Sequence, residues 1–549
     1  MKEKLLPLIA VWLIACLNAQ AQNQFCTYTG ITGFWDYQSN YRTPQYLRAC
    51  PGSTMLHAIM MVADDSLSTS TSRRTAYAFS SNGGTTWTTF SQIRVPDRRS
   101  GYPSLDIGQA AIACGPIIAN HSTIAGALQS TAFVDYPPGS GGFSELASPI
   151  VLGGDEPGFP EIAGAADGSI VLVASRFAAG SVHVTRTADY VSWQPWSVLT
   201  LDFSSDGYVA EANSTGRVGV VVTAPEDTLS WYESTNNGTT WPATPTQLLP
   251  DLIPMGGDTF VIQQGLDLVY LSNDTLVAFG VTKLVAGNPT SRHQGIGFWS
   301  ELTGFVLAVP HDSVTGVVDT LRKRQVNQNT VTGPAIGLSG STIVIAFQAF
   351  MPETSAAGFN YSDIFFTYST NRGRNWSRPE NHTATRFLDE RYASMSKWNV
   401  PGQANMVYQE DPQPGSAVFT DNSPLARVRQ VFCRRSGIPI TSVSGEQEVP
   451  KEFLLSQNYP NPFNPITEIE YSLPSLSSDQ AKGRVGVGSH VTLIVYDVLG
   501  REVATLVNEE KPPGTYEVTF DASGFSSGVY FYRLSTTHFV QTRKLVLLR

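Results

Sequence analysis

Gly524-Phe525-Ser526-Ser527-Gly528 has the spacing of a nucleophile elbow, where a sharp strand-to-helix turn exposes a serine for acyl transfer. That chemistry needs a helix behind the serine. Here two strand-like runs, Gly514–Phe520 and Gly528–Leu534, flank it, so it reads as a hairpin turn. The eight histidines are scattered and none forms H-x-x-x-H, which argues against a zinc hydrolase. Cys26, Cys50, Cys114 and Cys433 lie far apart with no C-x-x-C pair, which argues against a zinc site or thioredoxin-type exchange. No metal and no cofactor is expected. What remains is a thin set of arginines, carboxylates and one phenol. Arg42 stands in Tyr41-Arg42-Thr43-Pro44, and Asp64 and Asp65 follow some 22 residues later. Glu161 precedes Asp167-Gly168 and Arg176, and Tyr408 comes far downstream, with Arg292 and Arg391 as further cations. Guanidinium groups of this kind hold carboxylates through charge-assisted bonds.

The elements that must position them are strands. Met55–Val62, Ala76–Ser80, Ile170–Ser175, Val218–Thr223, Thr275–Val281, Thr342–Phe350 and Ile364–Ser369 are rich in Val, Ile, Phe or Tyr and bounded by Gly, Pro, Asp or Asn. No convincing amphipathic helix interrupts them. Composition agrees: 47 glycines and 34 prolines punctuate a chain that is 42% hydrophobic and only 15% charged. The length of 549 residues implies more than one domain.

The N-terminus reads as a secretory signal peptide over residues 1–21. Lys2 and Lys4 precede the apolar run Leu5–Leu17, and Ala19-Gln20-Ala21 fits a small-x-small cleavage site. Leu13-Ile14-Ala15-Cys16 also fits a lipobox; cleavage after Ala21 is the preferred reading. The run is too short for a spanning helix of about 20 residues, and no other stretch is long and apolar enough. Without residues 1–21 the chain keeps 34 Lys+Arg (36 − 2) and 45 Asp+Glu (46 − 1), a net charge of −11. It has no basic stripe, which argues against nucleic acid as a partner. Export makes disulfides plausible, with free buried thiols as the alternative.

A repeat organises the long central region. Ser80-Ser81-Asn82-Gly83-Gly84-Thr85-Thr86-Trp87 recurs at Ser234–Trp241 and at Ser369–Trp376, with a degenerate copy at Thr187–Trp193. The Ser hydroxyl and Asn side chain can tie a tight turn, Gly supplies the unusual backbone angle, and Trp can wedge against a neighbouring sheet. The structural set is therefore Ser80, Asn82, Gly84 and Trp87; Ser234, Asn236, Gly238 and Trp241; and Ser369, Asn371, Gly373 and Trp376. The pattern resembles the Asp-box (BNR) turn of the sialidase-like β-propeller superfamily. The resemblance implies an all-β fold over residues 22–435, a six-bladed propeller with seven blades as the alternative. A closed ring would bring its two ends together, which favours a Cys26–Cys433 bridge among the three full pairings.

The tail carries a second resemblance. Asn458-Tyr459-Pro460-Asn461-Pro462-Phe463-Asn464-Pro465, followed by strand-like runs to Arg549, resembles the type A C-terminal sorting domain of type IX (Por) secretion cargo. Residues 453–549 are then expected to form an Ig-like β-sandwich, with 436–452 as a linker and Ser475–His490 as an inserted loop. The expected partner is the type IX secretion machinery, and the expected location is secreted or attached to the outer-membrane surface.

For function, the propeller resemblance implies a mouth site. In sialidases a Tyr assisted by Glu is the nucleophile, an Asp is the acid/base, and three arginines clamp the substrate carboxylate. The resemblance would give Arg42 and Arg176 clamp roles, Asp65 the acid/base role, Glu161 the assisting role and Tyr408 the nucleophile role. No third clamp arginine has convincing context. The leading expectation is accordingly a surface or secreted propeller that binds glycan or another extracellular polymer. The alternatives are a sialidase-type exo-glycosidase and a structural surface protein without a small ligand.

Overall fold

The computed structural model describes residues 23–440 and 453–548, except 40–41, 89–93, 125, 150, 155, 177, 201–206, 224–227, 273, 285–292, 324–328, 420–422, 456, 459–460, 475–488, 512–513 and 538. The expected signal peptide, most of the linker and nearly all of the inserted loop lie outside the described residues. So do Tyr41 and Arg292. The chain divides into two compact units between Thr441 and Ser442.

The first unit is all strand apart from short 3-10 turns, among the described residues. Among the described residues its strands form seven small sheets in chain order. The first strands are Leu47–Ala49, Ser100–Ile107, Gly158–Gly164, Tyr208–Ala212, Asp258–Leu271 (after the short Ile253–Met255 in the same sheet), Val331–Ser339 and Asp389–Met395, and each touches the next in a ring. The ring is sealed by chain ends. The N-terminal strand Gln24–Gly33 becomes the outer strand of the seventh sheet, pairing with Val428–Ser436. Cys26 and Cys433 stand opposite each other in that register and are bridged, 407 residues apart in sequence. A second bridge, Cys50–Cys114, ties the first sheet to the second.

Burial explains the composition of the strands. Ile170–Arg176 is apolar on both faces because each face meets a different sheet. Ile170 and Leu172 pack with Ile117 and Ala119 of the second sheet, while Val171 and Val173 pack with Tyr208 and Ala210 of the fourth.

The repeat turns fasten neighbouring sheets. Ser234 Oγ accepts from Gly238 N (2.9 Å) and donates to Asn236 Oδ1 (2.9 Å), which accepts from Thr240 N (3.0 Å). The same bonds recur at Ser80 and Ser369. Gly84, Gly238 and Gly373 have φ of 82°, 75° and 87°. A Cβ there would strike Phe432, Val171 or Phe298, each on the preceding sheet, within 2.5 Å. Trp87 and Trp376 stack edge-on against those same two phenylalanines at 5.2 Å. Each turn thus glues its sheet to the one before it.

The second unit holds two antiparallel sheets over one core. Leu454–Leu455, Ile466–Leu473 and Gly514–Asp521 form one; Ser489–Tyr496, Glu502–Lys511, Gly528–Ser535 and Val540–Leu547 form the other. Both contribute to a core containing Ile469, Tyr471, Val495, Tyr532 and Leu545. The Gly524–Gly528 segment is a turn with no helix, but not a hairpin: its two flanking strands belong to different sheets, so it crosses between layers.

Candidate functional site

The repeat turns follow third strands, which run parallel to first strands. They therefore mark the end of the ring where first strands finish, and the opposite end is the mouth. First strands are distorted on entry at this mouth. Tyr102 (φ 47°), Phe159 (φ 53°), Gly265 (φ 93°), Gly333 (φ 65°) and Tyr392 (φ 59°) each sit at a register shift in the first strand of a different sheet. Glycine suits this left-handed backbone; a bulky aromatic there is strained. Three sheets keep a ring at that cost.

Below the mouth the axis is filled by compensated charge. Arg48 pairs with Asp106 (2.9 Å) and Glu211 (3.2 Å), and Lys397 with Asp267. Asp106 Oδ2 also accepts from Gly164 N, and Asp267 Oδ2 from Ile336 N, so these carboxylates bind adjacent sheets together.

Two of the expected site residues meet. Arg42 Nε lies 2.9 Å from Glu161 Oε1, both side chains being buried. The other guanidinium nitrogens donate to Phe159 O (2.8 Å), Pro160 O (3.1 Å) and Tyr102 O (3.3 Å). Glu161 also accepts from Ser104 Oγ (3.0 Å). Burial pushes its carboxyl up to about 7, against the opposing pull of Arg42. Asp65 lies in an exposed loop, its carboxylate capping Leu67 N, and its neighbour Asp64 pairs with Arg94 (2.5 Å). Arg176 is half-buried and donates to Gly153 O (3.1 Å). Tyr408 is packed among Val344, Phe366 and Met406 between the sixth and seventh sheets, its hydroxyl 3.6 Å from Cys433 Sγ. Burial raises its phenol further above the ordinary range. Arg391 is paired with Asp389 (2.8 Å) and reaches Asp411 (4.0 Å) and Gly415 O (2.8 Å). Burial raises the Asp411 carboxyl to about 8, against the pull of Arg391.

The residues with unspent capacity are different ones. His121 is 2% exposed; its Nε2 lies 2.9 Å from an Arg73 terminal nitrogen, and its Nδ1 is buried without a hydrogen-bond partner. Its ring packs edge-on against Tyr102 (5.2 Å) and Phe159 (5.0 Å). Burial, then the charges of Arg73, Arg99 and Arg42, hold it well below the usual imidazole range, so it is neutral. Arg73 lies over the Trp35 and Tyr102 rings at 4.9 and 5.3 Å. The Ser175 hydroxyl is likewise buried without a hydrogen-bond partner, whereas the Tyr392 hydroxyl meets the Gln38 backbone N–H. Sequence reading missed Arg73, Tyr102, His121, Phe159 and Tyr392. Only a sheet-by-sheet superposition, which sets three aromatics beside Gly265 and Gly333, carries a signal for them.

Among the described residues, His293, His311 and Asp312 offer three ligand atoms within 4.8 Å of one another. Cys26, Cys433 and His382 also cluster, but both sulfurs are spent in the disulfide.

In the second unit the asparagine–proline motif is tied to the last strand. Val546 N donates to Asn461 Oδ1 (2.9 Å), Phe463 N to Val546 O (3.0 Å) and Leu548 N to Phe463 O (3.0 Å). Buried Asn458 donates to Thr467 Oγ1 (2.9 Å) and its backbone N–H to the Tyr532 hydroxyl (2.8 Å).

Residues 457–548 match the family described as secretion system C-terminal sorting domain. The chain therefore carries a type IX sorting domain and is secreted or attached to the cell surface. No helix among the described residues is long and apolar enough to cross a membrane. No curated protein matches the chain. Among solved structures it is similar to a PL25 polysaccharide lyase, an ulvan lyase, at 9% identity over 70% of this chain and 92% of that one (TM-score 0.44). It is also similar to the Aleuria aurantia lectin at 12% identity, over 63% of this chain and 95% of that one (TM-score 0.37). A Trypanosoma rangeli sialidase is similar at 9% identity, over 95% of this chain and 88% of that one (TM-score 0.33).

Proposed function

We propose that this protein is an exported propeller, its seven sheets read as seven Asp-box-type blades, that binds glycan or another extracellular polymer at the mouth opposite the repeat turns. One observation carries the reading: Tyr102, Phe159 and Tyr392 take, near the start of their strands, a backbone conformation that glycine fills in two other sheets; Tyr102 and Tyr392 are buried, and Phe159 is the half-buried ring of the three. Strain of this kind is kept where a site needs it, and flat rings suit the C–H faces of sugars. The type IX machinery is the partner that takes the chain outside through residues 453–549.

A sialidase-type exo-glycosidase is the second reading, with Arg42, Arg176, Asp65, Glu161 and Tyr408 as its residues. Against it stands the saturation of Arg42, whose donors are spent on Glu161 and three carbonyls. A structural protein without a small ligand is the third.

The purified full chain is to be applied to a broad glycan array beside a Phe159→Gly variant, which keeps the backbone conformation and removes the ring. Binding that weakens about tenfold or more in the variant is expected; silence across the array would sink the proposal. A fluorogenic sialoside separates the readings: turnover abolished by Arg42→Ala would establish the hydrolase instead.

A further inference from the structure

Five lysine or arginine side chains are buried among the described residues: Arg42, Arg48, Arg73, Arg391 and Lys397. Four have carboxylate partners. Arg73, 6% exposed, forms no ion pair among the described residues. A buried cation without a counter-charge is costly and rare. What Arg73 has instead is Ser100 O, which accepts from Nε (3.1 Å), and His121 Nε2 at 2.9 Å.

That second contact fixes the imidazole. A guanidinium only donates, so Nε2 must accept, and the proton of the neutral ring sits on Nδ1. His121 Nδ1–H is therefore a donor, polarised by the cation behind it and left without an acceptor. It faces Gly158. A Cβ built on that glycine would meet, outside its chain neighbours, only His121 Nδ1 at 3.9 Å. One buried donor thus borders the place where Gly158 carries no side chain, beside a cation that has aromatic faces but no carboxylate for company.

We propose that this space is an oxyanion subsite of the mouth, in which His121 Nδ1–H binds a carboxylate or sulfate-ester group of a polysaccharide. Arg73 is the positioning residue: it sets the tautomer of His121 and supplies the charge. The assignment rests on the glycan reading above and narrows it to acidic polymers.

The test uses the full chain, isotope-labelled at histidine. Galacturonate oligosaccharides, sulfated galactose oligosaccharides, neutral galactose oligosaccharides and inorganic sulfate are titrated by calorimetry while NMR follows the His121 Nδ1–H proton. Gly158→Ala is the key variant. Its backbone is not left-handed and the added methyl makes ordinary contacts, so it folds while filling the space. His121→Phe removes the donor.

Acidic sugars are expected to move the Nδ1–H resonance, and each variant to weaken their binding about ten- to a hundredfold, the worth of a charge-assisted hydrogen bond. Binding of neutral sugar should not change. Preference between the uronate and sulfated arms identifies the oxyanion. Acidic and neutral sugars binding alike, with Gly158→Ala indifferent, would overturn the subsite and leave the glycan reading standing. Inorganic sulfate moving Nδ1–H in the wild type but not in Gly158→Ala, with no sugar bound, would support the subsite and overturn the glycan reading. No response to any probe would overturn both.

Discussion

The serines of the repeat turns and the polar groups at the mouth are treated in opposite ways. At the repeat turns, Ser80, Ser234 and Ser369 each donate one hydrogen bond and accept another inside eight residues of chain. At the mouth, His121 Nδ1 and Ser175 Oγ are buried without a hydrogen-bond partner. Unmade hydrogen bonds in a folded interior cost free energy, and the turns carry some of that cost too, at Trp87 Nε1 and Asn237 Oδ1. The serine-centred bonds have the character of a fastening. His121 has the character of a site waiting for a partner.

The contrast breaks most visibly at a compensated charge. Glu161→Ala would strand Arg42 beneath the mouth, and we expect a loss of about 3–5 kcal/mol in denaturant unfolding of the propeller. A loss under about 1 kcal/mol would mean that Arg42 tolerates burial alone, and Arg73 would lose its distinction. At the fastening end, Ser234→Ala should cost about 1–3 kcal/mol by leaving Gly238 N–H unbonded. Glycan binding should be untouched; a change in affinity would blur the division of labour. Acidity sharpens the mouth further. The Asp411 carboxyl is raised from an ordinary 3.8 to about 8, so the native state keeps a proton that the unfolded chain has released. Its contribution is complete below pH 4 and is lost as pH rises through 8. Asp411→Asn should flatten the fall in stability between pH 5 and 8, measured as a shift in denaturation midpoint. The smallest effect is expected at Tyr392→Phe, which deletes a hydroxyl that meets the Gln38 backbone N–H and should destabilise by about 1 kcal/mol in thermal unfolding. No change, or a gain in stability, would show that this bond contributes nothing.

Local chemistry decided what was legible in the sequence. The repeat turns bond within themselves, so Ser, Asn, Gly and Trp at fixed spacing announce them. The apolar second strands were also readable, because both of their faces are covered. First strands were not: Ser100–Ile107 and Asp389–Met395 carry Pro103, Asp106, Asp389, Glu390 and Arg391, since they line an axis of charge rather than a greasy layer. Arg42 and Glu161 could be named, but their pairing joins residues 119 apart (161 − 42) and needs the ring. Arg73 and His121 left no trace, because the lack of a counter-charge is a property of surroundings, not of neighbours in sequence.

The strand Gln24–Gly33 has a consequence for how the molecule comes into being. It is made early, yet its pairing partner Val428–Ser436 is made some 400 residues later. Contacts that distant form slowly. Until they form, the seventh sheet has a bare edge of unpaired amides, open to strands of other molecules. The Cys26–Cys433 bond then works as a latch on a hoop. Once shut, it holds the first and last staves together.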